Sequence, residues 1–154
     1  MNVVSTGLLG LSAIIALLIG VLLPGVQQVR PLAVELSHTS GMASLGNQIV
    51  TFCDDAESSA KSFLLSLADD ADQATGETAG VPYDSLAFFC DADSKLATLA
   101  GEIEALVNNR RLPVVQRQRL SQIQGALEGS LVPAVNKISE LMRDKTDVCS
   151  TAAN

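Results

Sequence analysis

From Val3 to Leu23 the chain carries no charged residue, and this run limits what the rest of it can become. Wound as a helix at about 1.5 Å per residue, the run would extend roughly 30 Å, the thickness of a bilayer's hydrocarbon core. Three placements suit it: a signal that is removed, an anchor that stays, or a helix buried in a soluble body. A cleavable signal carries a basic start, a shorter apolar stretch and a small-x-small cleavage site. "MNVVST" has no Lys or Arg, and "PGVQQVRPLAVE" offers no such site. The run therefore reads as an uncleaved single-pass transmembrane anchor over residues 1–25.

Within it, Gly10, Ala13, Leu17 and Gly20 would share one flank of the helix, and small flanks let two transmembrane helices approach closely. Ordinary lipid-facing composition is the plainer account of the same residues. Arg30, the one basic residue near the run, pulls the C-terminal body toward the cytoplasm by the positive-inside rule. N-terminal anchors more often export the domain behind them, and the body is placed here on the extracytoplasmic side.

Beyond the anchor, Pro24-Gly25 and Arg30-Pro31 punctuate the chain and leave a short helical stalk and turn over 26–42. Apolar residues then recur at steps of three and four. Leu45, Ile49, Phe52, Ala56, Ala60, Phe63 and Leu67 mark one helix face. Leu86, Phe89, Leu96, Leu99, Ile103 and Leu106 mark a second, capped by Asp84 or Ser85. Leu120, Ile123, Leu127, Leu131, Ala134, Ile138 and Leu141 mark a third, where Pro133 predicts a kink near 129–133. No short tandem repeat and no sustained strand-like alternation stands out. Aromatic residues are 3% of the chain against 47% hydrophobic overall, which suits slender helices better than a β-sandwich. The fold class is all-α: an N-terminal transmembrane helix followed by an antiparallel three- to four-helix bundle over 43–145, with a flexible tail over 146–154.

Chemistry-bearing constellations are thin. His38 is the only histidine, and a Glu35–His38 pair lacks the second Glu-x-x-His that a dinuclear carboxylate site requires. Cys53, Cys90, Cys149 and His38 lack the paired knuckle spacing of a structural zinc site. The acidic clusters at Asp54–Glu57, Asp69–Asp72 and Asp91–Asp93 do not fit a calcium loop, and read as solvated helix faces. Arg110, Arg111, Arg117 and Arg119 gather four of ten basic residues into one turn. With a net charge of −7 and no aromatic neighbours, that turn suits lipid phosphates or an acidic partner better than nucleic acid, and a plain exposed turn and first helical turn is the simplest account of it. No catalytic, cofactor-binding or metal-binding residue is assigned, no cofactor is expected, and the chain is not read as an enzyme.

Helix geometry constrains the cysteines. With antiparallel helices over 43–73, 84–108 and 113–143, Cys53 and Cys90 differ in height by about 20 Å. A disulfide needs Cα atoms within about 7 Å, so these two cannot join. Cys149 lies on a tail able to fold back, so Cys90–Cys149 is the candidate bond in an oxidising compartment, leaving Cys53 free or paired with another chain.

The functional expectation is a membrane-anchored helical interaction protein, an accessory or scaffold subunit whose partners are the lipid bilayer, other membrane-protein subunits or further copies of itself. The alternative is an exported helical carrier whose signal has been removed. Leu99→Asp and Leu127→Asp would each put an unpaired charge on a buried stripe, which costs several kcal/mol, on the order of a small domain's whole stability. Each variant is expected to lose its cooperative melt by circular dichroism; wild-type melting of both would show the helix faces to be misassigned.

Overall fold

The computed structural model describes residues 12–72, 83–146 and 148–149. It is all-helical, with four long helices and no strand among the described residues. Helix α1 spans Ser12–Ser37 and α2 Ala43–Asp72. Helix α3, Ala92–Val107, is led in by a 3-10 stretch over Tyr83–Cys90, and α4 runs over 114–145. Each helix is antiparallel to the next, and α4 closes the ring by packing antiparallel against α1.

The apolar start therefore does not stand apart from the body. Ile14, Leu18, Leu22, Val26, Val29, Ala33 and Leu36 are all buried in the same core as Ile49, Phe63, Leu96, Leu127 and Ile138. Burying side chains of this size contributes about 1.5–3 kcal/mol each. The break expected at Pro24-Gly25, and the separate stalk after it, are corrected: one helix passes through both prolines of α1. Pro24 and Pro31 are exposed on its outer side, where a missing N–H leaves no buried carbonyl stranded. By length and composition α1 is able to cross a membrane, with a mean hydropathy of 1.9 in its most apolar part.

The helix survives Pro24 by a local change of winding. Leu18–Leu22 forms a π-turn in which the Leu23 N–H bonds the carbonyl of Leu18, five residues back. Helix α4 does the same before Pro133: Leu127–Leu131 is a π-turn, and the Val132 N–H bonds the carbonyl of Leu127. A proline in a helix drives its ring against the carbonyl four residues earlier. In both helices that residue is glycine, Gly20 and Gly129, so the backbone can turn aside. The kink expected near 129–133 thus takes the form of a π-turn inside a continuous helix.

The 3-10 stretch also has a cause. Tyr83, Leu86, Phe89 and Ala92 are spaced by threes, and a helix with three residues per turn puts them on one face. Leu86, Phe89 and Ala92 are buried, whereas from Ala92 onward the buried positions Leu96, Leu99 and Ile103 return to α-helical spacing. The α-helix therefore begins at Ala92, after Asp91, and not at Asp84 or Ser85. Every aromatic side chain lies in α2 or this stretch, with Phe52 on Phe88 at 5.3 Å and Phe63 on Tyr83 at 6.0 Å between ring centroids.

At the far end, Gly41 adopts a φ of 85° in the α1–α2 turn. Gly46 lies so close to the end of α1 that a Cβ there would run into the backbone of Leu36 and Ser37. Overpacking of this kind typically costs about 1–3 kcal/mol, and backbone atoms yield less than side-chain tips. Gly46→Ala is therefore expected to lower the melting temperature by several degrees, whereas Gly101→Ala, with open space around it, should not. Thermal melts of the two variants side by side check this.

Candidate functional site

The outer side of α1's first half is apolar, with Ala13, Ala16 and Ile19 exposed; large apolar side chains are also exposed at Leu65, Val114 and Val115. For α1, α4 provides a comparison within one chain. Positions 121–145 of α4 lie 109 residues after 12–36 of α1, and L-x-G-x-L-x-P-x-V occurs in both as Leu18–Val26 and Leu127–Val135. The inner sides match in burial as well: Ile14 and Ile123, Leu18 and Leu127, Leu22 and Leu131, Val26 and Val135, Val29 and Ile138, Ala33 and Met142 are all buried. The two π-turns touch each other, and Gly25 lies against Ser130 and Leu131.

The outer sides do not match. Where α4 exposes Gln122 and Glu128, α1 exposes Ala13 and Ile19. Ile19 is exposed to 54%, while Ile15 and Val21 are half-buried. From Gln27 onward the difference fades: Gln27 and Gln28 stand opposite Asn136 and Lys137, and all four are exposed. Helix α4 presents the polar side that water selects for this inner pattern. Over its first half, α1 is apolar all round, as helices in the interior of a large protein or a membrane are.

Of the candidate transmembrane flank, Ala13 and Gly20 face outward with no neighbour near Gly20, Leu17 is half-buried against the core, and Gly10 lies outside the described residues. Ala13 and Gly20 thus belong to the same outer surface.

The four arginines gather at the α3–α4 turn. Arg110, Arg111 and Arg119 are exposed, Arg117 is half-buried with its Nε shielded from solvent, and none forms an ion pair among the described residues. Because α1 and α4 are antiparallel, this turn shares the end of the bundle with Ser37, roughly 37 Å from Ser12 at 1.5 Å per residue. The arginines and the apolar surface therefore face different surroundings.

The acidic clusters are taken up by structure. Asp54 accepts from Arg30 at 2.7 Å, Glu57 from Lys61 at 2.6 Å, and Lys95 lies 3.7 Å from Asp91. The side chains of Asp69, Asp70 and Asp72 lie outside the described ones. Glu35 and His38 are exposed at the end of α1, and no group of three or more metal-ligating side chains converges among the described residues.

Cys90 and Cys149 form a disulfide with Cα atoms 5.4 Å apart, and Cys53 is free and buried. The bond ties the tail beyond α4 to the start of α3. A link closing 59 residues restrains the unfolded chain by about 4 kcal/mol on a chain-entropy account. Beside it, Arg143 donates to the Cys90 carbonyl at 3.1 Å and to Asp93 at 2.9 Å. Burial pushes the Cys53 thiol up to about 12, so it packs as a small apolar group and not as a nucleophile.

A cleft of about 790 Å³ opens between α2 and α3, with Phe52, Phe88 and Leu99 in its floor and Asn47, Gln48, Thr51, Asp55, Lys95 and Thr98 on its walls. Lys95 sits over the Phe88 ring, 5.4 Å from its centroid. Apolar periodicity gives no sign of this cleft, because most of its wall residues are amides and hydroxyls.

No protein-family model matches the chain, and no curated protein or solved structure is detectably similar to it.

The Arg143 hydrogen bond, aided by the Ser94 N–H, holds the Asp93 carboxyl below its ordinary range. A carboxylate whose folded value is depressed contributes stability above its unfolded value, near about 3.9, and loses it as pH falls through the folded one. Asp93→Asn should therefore melt below wild type at about pH 7, and the gap should narrow as pH drops below about 4. Melting temperatures of both proteins across that range check the sign.

Proposed function

We propose that the protein is a membrane-attached helical interaction protein, an accessory or scaffold component, whose bilayer contact is the first half of α1. One observation carries this reading: α1 exposes Ala13 and Ile19 where its counterpart α4 exposes Gln122 and Glu128, while keeping the same inner side. An exposed apolar helix surface calls for a non-aqueous neighbour. The disulfide supports placing the bundle in an oxidising, extracytoplasmic space. The arginines at the opposite end, without an ion pair among the described residues, suit an acidic partner surface, because Arg pairs with carboxylates bidentately.

The carrier reading, with a signal removed near residues 25–34, gains no support. Such cleavage would take Ile14, Leu18 and Leu22 out of the core. Mutual packing of four helices favours their retention.

Flotation with neutral phosphatidylcholine vesicles tests the proposal. Wild type is expected to float. Ala13→Gln with Ile19→Glu, which copies Gln122 and Glu128 of α4 onto exposed positions of α1, should keep its helical content and melt but lose flotation. Undiminished flotation of a folded double variant would remove the outer side of α1 from the contact.

A further inference from the structure

We propose that the first half of α1, residues 12–22, is an exchangeable segment that lies in the bundle core off the membrane and leaves it for the hydrocarbon interior of a bilayer. This rests on the reading that α1 is the bilayer contact, and adds what happens to the fold when that contact is made.

The two placements compete for the same atoms. A membrane-crossing helix needs about 20 apolar residues, and the run that supplies them is Val3–Leu23. That run contains Ile14, Leu18 and Leu22, each of which is fully buried against the other helices. The outward-facing sides of those neighbours carry Lys137, Glu140, Arg143 and Lys61, so the intact bundle cannot sink into lipid alongside α1. A side chain cannot lie in the protein core and in lipid at once. Where the run crosses the bilayer, residues 14–22 are out of the core.

Composition favours exchange over a fixed position in either place. A helix held permanently in the bundle would carry a polar outer side, as α4 does with Gln122, Gln124 and Glu128. A helix held permanently in lipid would not share the buried register of α4. A segment that occupies both surroundings needs both faces apolar. Transfer of Ile14, Leu18 and Leu22 into water would forfeit their burial, but lipid returns an equally apolar environment.

The junction lies where the exchange requires it. The π-turn over Leu18–Leu22 and Pro24, which offers no N–H, interrupt regular α-winding between the two halves of α1. Past that point α1 is held firmly. Gly25 lies against Ser130 and Leu131, Arg30 is bonded to Asp54, and Ser37 is pressed on Gly46. Residues 18–22 touch chiefly α4 and its π-turn, whereas residues 23–37 pack on both α2 and α4. Withdrawal would uncover the inner side of α4 at Leu131, Val135, Ile138 and Met142, all now buried.

Hydrogen exchange of the full chain, free and on phosphatidylcholine vesicles, tests this, with flotation run on the same samples. Exchange at 131–142 is expected to be at least about tenfold faster on vesicles, while 26–37 and 43–60 keep their protection. Flotation with unchanged exchange at 131–142 would overturn the proposal and leave membrane attachment standing. Failure to float would overturn attachment, and the exchange with it. Loss of protection throughout the chain would show general unfolding at the bilayer and overturn the proposal as well.

Discussion

The contact between α1 and α4 at their π-turns sets the geometry of the bundle. Both helices bury residues spaced by fours, Ile14, Leu18, Leu22 and Val26 in one, Ile123, Leu127, Leu131 and Val135 in the other. In a regular α-helix each step of four overshoots a full turn by about 40°, so three such steps carry the stripe roughly 120° around the axis. A stripe displaced that far could not stay on one neighbour. A π-turn takes an extra residue into one turn and brings the stripe back. It also loosens the turn where Pro24 or Pro133 would meet a carbonyl. Packing register and proline tolerance thus have one solution, used twice and placed in mutual contact.

That solution ties the apolar start of the chain to the body. With α1 in place, Val26, Val29, Ala33 and Leu36 complete the core against α2 and the first part of α4, and Arg30 reaches Asp54. At the other end, the Cys90–Cys149 bond and Arg143 hold α3 to α4 without help from α1. The bundle is therefore clamped at both ends by contacts that do not involve residues 12–22. The segment with the strongest preference for lipid is the one whose neighbours are best secured without it.

Much of this architecture is legible in the residues. Steps of three and four locate the faces of α2, α3 and α4, but helix lengths do not give their register: Phe52 packs on Phe88 and Phe63 on Tyr83, which overturns the expected height difference of about 20 Å between Cys53 and Cys90. The fate of α1 is less legible, because length and hydropathy describe a bilayer span and a buried helix equally well. What distinguishes them is a comparison between α1 and α4, and at a separation of 109 residues that correspondence escapes a search for short repeats. The π-turns have a signal too, three consecutive steps of four leading to a proline, with glycine four residues before it. Read as helix-breaking punctuation, Pro24-Gly25 suggests an end. In the packed chain Gly25 is where α1 comes closest to α4 at Ser130 and Leu131, a contact that only the pairing of the two helices creates. The cleft between α2 and α3 is hidden for a different reason. Its walls are mostly neutral polar side chains, which periodicity counts as solvent-facing wherever they point.

Charge placement gives the bundle a direction. The arginines of the α3–α4 turn lie at one end, the apolar half of α1 at the other, and Asp54, Glu57, Asp91 and Asp93 between them are paired along the helix sides. If α1 meets a bilayer at its first half, the arginine turn stands away from it by more than the Debye length of about 8 Å at physiological salt. Anionic headgroups of that bilayer would then exert little pull on the arginines, whereas an acidic surface approaching from the aqueous side would feel them fully. One short bundle can in this way offer lipid chemistry at one end and carboxylate chemistry at the other, with a disulfide-clamped core to keep the two apart.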